Sequence, residues 1–338
     1  MRRDCDYDVC VVGFGPVGAA LTAALGMRGL SVLAVDRSMT VYPQPRAAHI
    51  DGETMRILQS LGVADAVIPH TRPAPPYEFR NTAGEILISV PAATLADDGW
   101  PTHLMIYQPG IEQVLRRLCA HLATVHVRLG TSFQRLEQSR DAVTAWLDGV
   151  SVSTRMLVGC DGASSTVREA MGVQFDDYGF DEPWLVIDAL VLDEARTPAV
   201  CLQLCDPARP TTFTLMGPGR LRWEFMLRPE EDPSQMMGEG SIERLLSPWG
   251  GSHGLVIERR AVYRFHGLVA RHWRDRRVLL AGDAAHLMPP FAGQGLCSGL
   301  RDAHNLAWKI DAALRGGPAD ALLDSYPVSY THLRINLR

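Results

Sequence analysis

The run Gly13-Phe14-Gly15-Pro16-Val17-Gly18 lies between an apolar stretch and a helix-forming one. A glycine at the first place permits a tight turn, and one at the second lets backbone approach a pyrophosphate. At the third it lets a helix pack closely on a strand. With Pro16 and Val17 opening the helix, phosphate would sit at its positive N-terminus. Asp36, followed by Arg37, ends the next apolar run, where an acidic residue accepts hydrogen bonds from an adenosine ribose. Together these residues imply dinucleotide binding without choosing between FAD and NAD.

A second group is Gly282-Asp283-Ala284-Ala285-His286, leading into Pro289-Pro290-Phe291-Ala292-Gly293-Gln294-Gly295-Leu296. A carboxylate at a strand end accepts hydroxyl hydrogen bonds, and a glycine-rich loop entering a helix offers amides to developing negative charge. Ribityl hydroxyls and a reduced flavin need those two provisions; a tight loop with a capping Asp is the plainer explanation. A third group, Cys160-Asp161-Gly162-Ala163-Ser164-Ser165-Thr166-Val167-Arg168, has Asp161 at a strand end and Ser164 to Thr166 placed to cap a helix. Asp161 and Arg168 read equally well as an ion pair or as functional groups.

These groups need elements to hold them. The patterns predict a strand at Tyr7–Val12, a helix over 16–28 and a strand over 31–35, which is a βαβ unit. Helices are expected over 52–61, 110–122 and 298–314, and strands over 125–129, 142–147, 155–158 and 278–281. Between about 175 and 264 the pattern changes to alternating runs (184–192, 211–216 and 222–227), which suggest an antiparallel sheet forming a substrate lobe. The Pro-rich 72–76 reads as a crossing between lobes. The expected division is a discontinuous nucleotide-binding domain (1–74, 106–174 and 265–326), a substrate domain (75–105 and 175–264) and an atypical tail (327–338).

The bulk numbers narrow the function. At 338 residues, 46% hydrophobic and 21% charged, the chain is an ordinary globular protein of two lobes. A net charge of −5 without a long basic run gives no footprint for nucleic acid or an anionic membrane. The seven cysteines form no CxxC pair, so neither a zinc site nor a disulfide framework is indicated, and a reducing cytoplasm fits. Glycines and Arg28 interrupt the apolar stretch 9–35, which argues against a membrane span.

Taken in order, the three groups resemble the FAD-dependent aromatic hydroxylases, the class A flavoprotein monooxygenases. Pro45-Arg46-Ala47, Leu61-Gly62-Val63, Gln108-Pro109, Cys205-Asp206-Pro207-Ala208-Arg209-Pro210, Trp223-Glu224-Phe225-Met226 and the stretch 301–309 extend the resemblance toward the 3-(3-hydroxyphenyl)propionate hydroxylases. The resemblance implies an α/β fold: a Rossmann-like FAD-binding domain of the para-hydroxybenzoate hydroxylase type, with an inserted, mainly antiparallel substrate sheet. It implies FAD as cofactor, with Gly13, Gly15 and Gly18 at the pyrophosphate, Asp36 at the ribose, and Arg46 and Gln108 at further oxygens. Gly282 and Asp283 would bind the ribityl chain, Pro289, Gly293, Gln294, Gly295 and Leu296 would line the isoalloxazine, and Asp161 would serve both FAD and NAD(P)H. Cys297 stands where many members carry Asn. After Asp324-Ser325-Tyr326 the family continues into a charged helix and a further region, whereas this chain reads 327–338 and stops.

The implied reaction uses NAD(P)H and O2 to hydroxylate a phenolic aromatic acid through a flavin C4a-hydroperoxide. No phenol base stands out. His49, Tyr107, Tyr263 and His286 qualify by type, and each has a packed, structural role as its alternative. Arg209 or Arg222 would suit a substrate carboxylate, with surface solvation as the alternative. A non-oxygenating flavin oxidoreductase and an inactive flavin-binding fragment are the rival readings.

Overall fold

The computed structural model describes residues 5–192, 199–290 and 293–328. Its first sheet has eight strands. The strand Tyr7–Val12 lies at the centre, parallel to Val32–Asp36 on one side and to Val150–Gly159 on the other. Val125–Leu129 extends one edge, and Val278–Leu280 joins Val150–Gly159 in parallel on the other. Val9 to Val12 form an unbroken apolar run that is buried throughout, as a parallel strand covered on both faces requires. The helices Pro16–Gly26 and Gly295–Leu314 pack against one another over this sheet. A Cβ on Gly299 would lie 2.5 Å from a Val17 methyl, so glycine permits that close approach.

The second sheet, also eight-stranded, is mostly antiparallel. Its order is His286–Leu287, Leu255–Ala270, Phe175–Val191, Arg220–Met226, Thr211–Leu215, Cys201–Leu204, Tyr77–Arg80 and Ile86–Val90. Alternating side chains give it two faces. Leu221, Trp223 and Phe225 join Phe213 and Trp249 in a second apolar core, beneath the helices Pro233–Met236 and Glu239–Leu246. The strands Phe175–Val191 and Leu255–Ala270, of 17 and 16 residues, form a long ribbon whose far end pairs with His286–Leu287. That pairing ties the second sheet to the loop carrying Asp283. A small third sheet pairs His103–Ile106 with His49–Asp51 and Thr71–Pro73.

Several expected extents need correcting. The strand expected at 155–158 runs from Val150 to Gly159, and the one expected at 184–192 begins at Phe175. The helix expected from 110 starts at Gln108, where Pro109 occupies its first turn. Ile86–Val90 and Phe133–Gln138 were not expected as strands: the first alternates poorly, and the second carries mostly polar residues on exposed edges. Among the described residues no helix is long and apolar enough to cross a membrane. None of the seven cysteines is in a disulfide. Most of the atypical tail, 329–338, lies outside the described residues, as do Phe291 and Ala292 of the second loop.

Candidate functional site

The glycine turn is built as its spacing requires. Gly13 has φ +95°, and a Cβ there would collide with the Cys160 carbonyl; a Cβ on Gly18 would collide with the Gly13 carbonyl. These two glycines are therefore needed by the fold itself. Gly15 differs, because a Cβ on it would meet nothing within 4 Å. It is the N-cap of the helix Pro16–Gly26, and no side chain caps that helix. Its leading amides keep their capacity for an anion. Asp36 lies beside them: one carboxylate oxygen accepts from the Phe14 amide at 2.7 Å and the other from the Ser38 amide at 2.8 Å. Arg37 is exposed.

The second loop repeats this pattern. Gln294 is the N-cap of the 20-residue helix Gly295–Leu314, again without a side-chain cap, and a Cβ on Gly295 would meet open space. Elsewhere in the chain Asp51, Ser165 and Asp232 cap their helices through side chains. Arg301 holds the loop by donating to Gln294 at 3.3 Å, and it pairs with Asp51 and Glu53. His49 touches the Gly293 carbonyl at 3.4 Å and lies 3.0 Å from His103, ring nitrogen to ring nitrogen. Burial lowers the His49 pKa, and the neighbouring His103 charge adds to that.

Asp283 stands in the single turn Gly282–Ala284, which packs against the helix Gly295–Leu314, and Gly282 approaches Val17 of the first helix. Part of the Asp283 surface is open, yet protein packs densely around the carboxyl, and among the described residues no group donates a hydrogen bond to it. Burial raises its pKa above the usual carboxylate range, while the charges of His286 and Arg46 oppose that rise. A desolvated carboxylate without donors is costly unless a ligand supplies them. Two uncapped helix ends with open glycines and one unsatisfied carboxylate match the pyrophosphate, pyrimidine and ribityl parts of FAD. The residues present therefore fit that cofactor.

Other candidates are placed differently from expectation. Asp161 and Arg168 do not pair. The Asp161 oxygens accept from Ser165 Oγ at 2.5 Å, Thr166 Oγ1 at 3.0 Å and the Val167 amide at 3.1 Å, so the carboxylate fastens the start of the next helix. Arg168 donates to the Ala163 and Ala284 carbonyls, linking the third group to the loop of the second. Gln108 spends its side-chain oxygen on the Arg46 and Ala47 amides, at 2.9 and 2.8 Å.

His286 does not face a substrate. It is 1% exposed, and its Nε2 lies 2.7 Å from Asp302 Oδ2, which also accepts from the Gly282 amide at 3.0 Å. Burial alone would lower the His286 pKa, but the Asp302 charge and hydrogen bond outweigh it, and the pKa is raised. Asp302 was missed as a functional residue. Its signal was an Asp inside the apolar stripe Leu300, Ala303, Leu306, Ala307, where a carboxylate needs a partner. Tyr107, at 3.5 Å from the Pro43 carbonyl, lies under the Arg220 guanidinium. Tyr263 stacks on Phe265 and lies under Arg259; burial raises its pKa against the opposing Arg259 charge.

The two arginines expected near a substrate carboxylate are already engaged. Arg209 binds Glu231 and the Met226 carbonyl. Arg222 is buried, grips Asp188 with two hydrogen bonds (2.7 and 3.1 Å), and donates to the Pro45 and Arg46 carbonyls at 2.6 and 2.8 Å. Arg259 also approaches Asp188, at 3.2 Å, and donates to the Pro45 carbonyl. Pro45 to Ala47 are thus clamped between Gln108 on one side and two buried arginines of the second sheet on the other.

Comparison with known proteins gives the family. A family model described as "FAD binding domain" matches residues 6–332. The chain is 40% identical over 325 residues to the "Probable NADH-specific resorcinol 4-hydroxylase" of Rhodococcus jostii (strain RHA1), covering 94% of this chain and 61% of that protein. It is 38% identical over 337 residues to the 3-(3-hydroxy-phenyl)propionate/3-hydroxycinnamic acid hydroxylase of Mycobacterium sp. (strain JLS), covering 97% of this chain and 58% of that one. The chain therefore spans about three fifths of the length of these relatives. Among solved structures, a ternary complex of aklavinone-11 hydroxylase with FAD and aklavinone superposes with a TM-score of 0.84 at 27% identity, over 96% of this chain and 66% of that one. The protein belongs to the FAD binding domain family, with a Rossmann-like flavin lobe of the para-hydroxybenzoate hydroxylase type joined to a mainly antiparallel sheet.

Proposed function

We propose that this chain carries the flavin-binding and substrate-facing lobes of a hydroxylase that uses NAD(P)H and O2 to add one oxygen atom to a phenolic ring. The observation that carries the reading is the Asp283 carboxylate, desolvated and without a donor, in a turn that packs against one of two helices with uncapped N-termini and approaches the other. Bound there, FAD supplies hydride acceptance and oxygen activation, which no side chain provides. In this reading the amides after Gly15 hold the pyrophosphate, Asp36 takes the ribose hydroxyls, Asp283 takes the ribityl hydroxyls, and the Gly295 and Leu296 amides face the pyrimidine edge. Arg46 stands over the site as a counter-charge, with Gln108 fixing its backbone. Asp161 shapes the turn beside Gly13 rather than donating or accepting at the cofactor. The flavin domain then comprises 1–74, 106–174 and 265–326, and the substrate domain 75–105 and 175–264, with the reaction between them, where closure excludes water.

The relatives named for resorcinol and for 3-(3-hydroxyphenyl)propionate support a phenol as substrate. The test is phenol-stimulated NADH oxidation by FAD-loaded protein under isotopically labelled O2. Label in the aromatic product is expected. Stimulated oxidation with label only in peroxide would instead make the chain a non-oxygenating flavin oxidoreductase.

A further inference from the structure

The strand register decides which side chains face the Pro45–Ala47 loop. Arg259, Asp188 and Arg222 lie side by side across three strands, and both arginines reach the Pro45 carbonyl, so this row faces the flavin lobe. Two residues along the same strands lies a second row, Ala261, Val186, Glu224 and Thr212, which shares that face by the two-residue repeat of a strand. Ala261 and Val186 are small and apolar. Glu224 is the exception in the row.

Glu224 is 7% exposed, and among the described residues no group donates a hydrogen bond to it. Its nearest cation, Arg222 Nη1, is 3.8 Å away and already donates to the Arg46 carbonyl. Thr212, its cross-strand neighbour, gives its proton to Gln203 at 2.6 Å, and the Tyr77 hydroxyl points to the same Gln203 oxygen at 3.4 Å. Burial raises the Glu224 pKa, with the Arg222 charge opposing. A buried carboxyl left without a donor has a deficit that a ligand hydroxyl would fill. Arg222, by contrast, is taken up by Asp188 and two backbone carbonyls, while Arg259 donates to the Pro45 carbonyl and lies against Asp188.

We propose that Glu224 is the group that accepts the hydrogen bond of the substrate's phenolic hydroxyl, so that this face recognises the ring through its hydroxyl. The proposal rests on the hydroxylase reading above. Its test uses FAD-loaded protein and the change in flavin absorbance on titrating resorcinol or 1,3-dimethoxybenzene, which keeps the ring and removes both donors. The parent is expected to prefer resorcinol by about tenfold, the worth of one hydrogen bond to a charged group. Glu224→Leu should reduce that preference to within about twofold while FAD affinity stays within about threefold. Glu224→Gln, which keeps an acceptor oxygen without the charge, should restore part of it. An unchanged preference in Glu224→Leu would overturn the assignment. So would an unchanged preference in Glu224→Gln if the leucine variant does not fold, or an equal loss of affinity for both ligands. If the FAD-loaded parent responds to neither ligand, the hydroxylase reading itself fails, and the assignment falls with it.

Discussion

The glycines of the first turn have separable duties. Gly13 and Gly18 have no room for a side chain in the folded protein, whereas Gly15 faces open space at an uncapped helix end. Gly15→Val should therefore leave the apo-protein's melting temperature nearly unchanged and abolish FAD retention, since only the cofactor's space is lost. Full FAD occupancy in that variant would mean that the turn is structural alone. Asp283 should behave in a graded way. Each hydrogen bond from a ribityl hydroxyl to a carboxylate is worth about 1.5–3 kcal/mol, so Asp283→Ala should weaken FAD binding roughly tenfold to a hundredfold. Asp283→Asn keeps one acceptor and should be milder. Hydroxyl donors favour the ionised form, so affinity should fall as pH is lowered through the raised Asp283 pKa. Apo-protein titrations across pH would show this, and a flat profile would place the cofactor elsewhere. Cys297 is buried, with its pKa pushed up to about 11 by that burial. Cys297→Ser should keep turnover within about threefold, since a thiol held protonated is inert; a collapse with normal folding would give it a redox role.

At the scale of elements, two buried charged groups position the loops. Asp302, on the long helix, holds His286 and the Gly282 amide together and so fixes the strand-to-loop corner that presents Asp283. Because the folded His286 pKa is raised, its stabilising contribution is complete below the unfolded value of 6.5 and is lost as pH rises through the folded value. The difference in unfolding free energy between parent and His286→Asn should therefore be largest at about pH 6 and below, on the acid side of that value, and shrink toward alkaline pH. A difference that does not change with pH would mean the histidine is uncharged in the fold. The second group is Asp188, shared by Arg222 and Arg259. Asp188→Asn leaves two buried guanidiniums with only Glu224, 3.8 Å from Arg222, as a compensating charge, at a cost of about 3–5 kcal/mol in urea unfolding, and it should loosen the Pro45–Ala47 loop. A loss below about 1 kcal/mol would show that water reaches the pair.

Across the whole molecule, the flavin lobe was more legible in the sequence than the substrate lobe. The unbroken apolar run 9–12, the glycine spacing and the apolar run ending at Leu280 are local signals, readable from a few adjacent residues. The central strands and the helices on them accordingly lie close to their expected places. The ion pairs between Asp188, Arg222 and Arg259 join positions up to 71 residues apart, the separation of Asp188 from Arg259, and the latter pair lies beside a register shift that no local pattern announces. For the same reason Arg222, which suited a substrate carboxylate by type, is a buried clamp, and of the two roles open to His286 the packed, structural one holds, with Asp302 as its partner. The chemistry of single residues was visible in the sequence; whether a residue was already engaged was decided by tertiary pairing between strands, loops and the long helix. The central claim, that both helix ends and Asp283 serve a single FAD molecule, has a direct measurement. The purified protein is denatured, and the released nucleotide is separated by chromatography and identified by mass. FAD, close to one per chain and lost from Gly15→Val, is the predicted result. FMN, NAD without flavin, or FAD retained undiminished by Gly15→Val would contradict it.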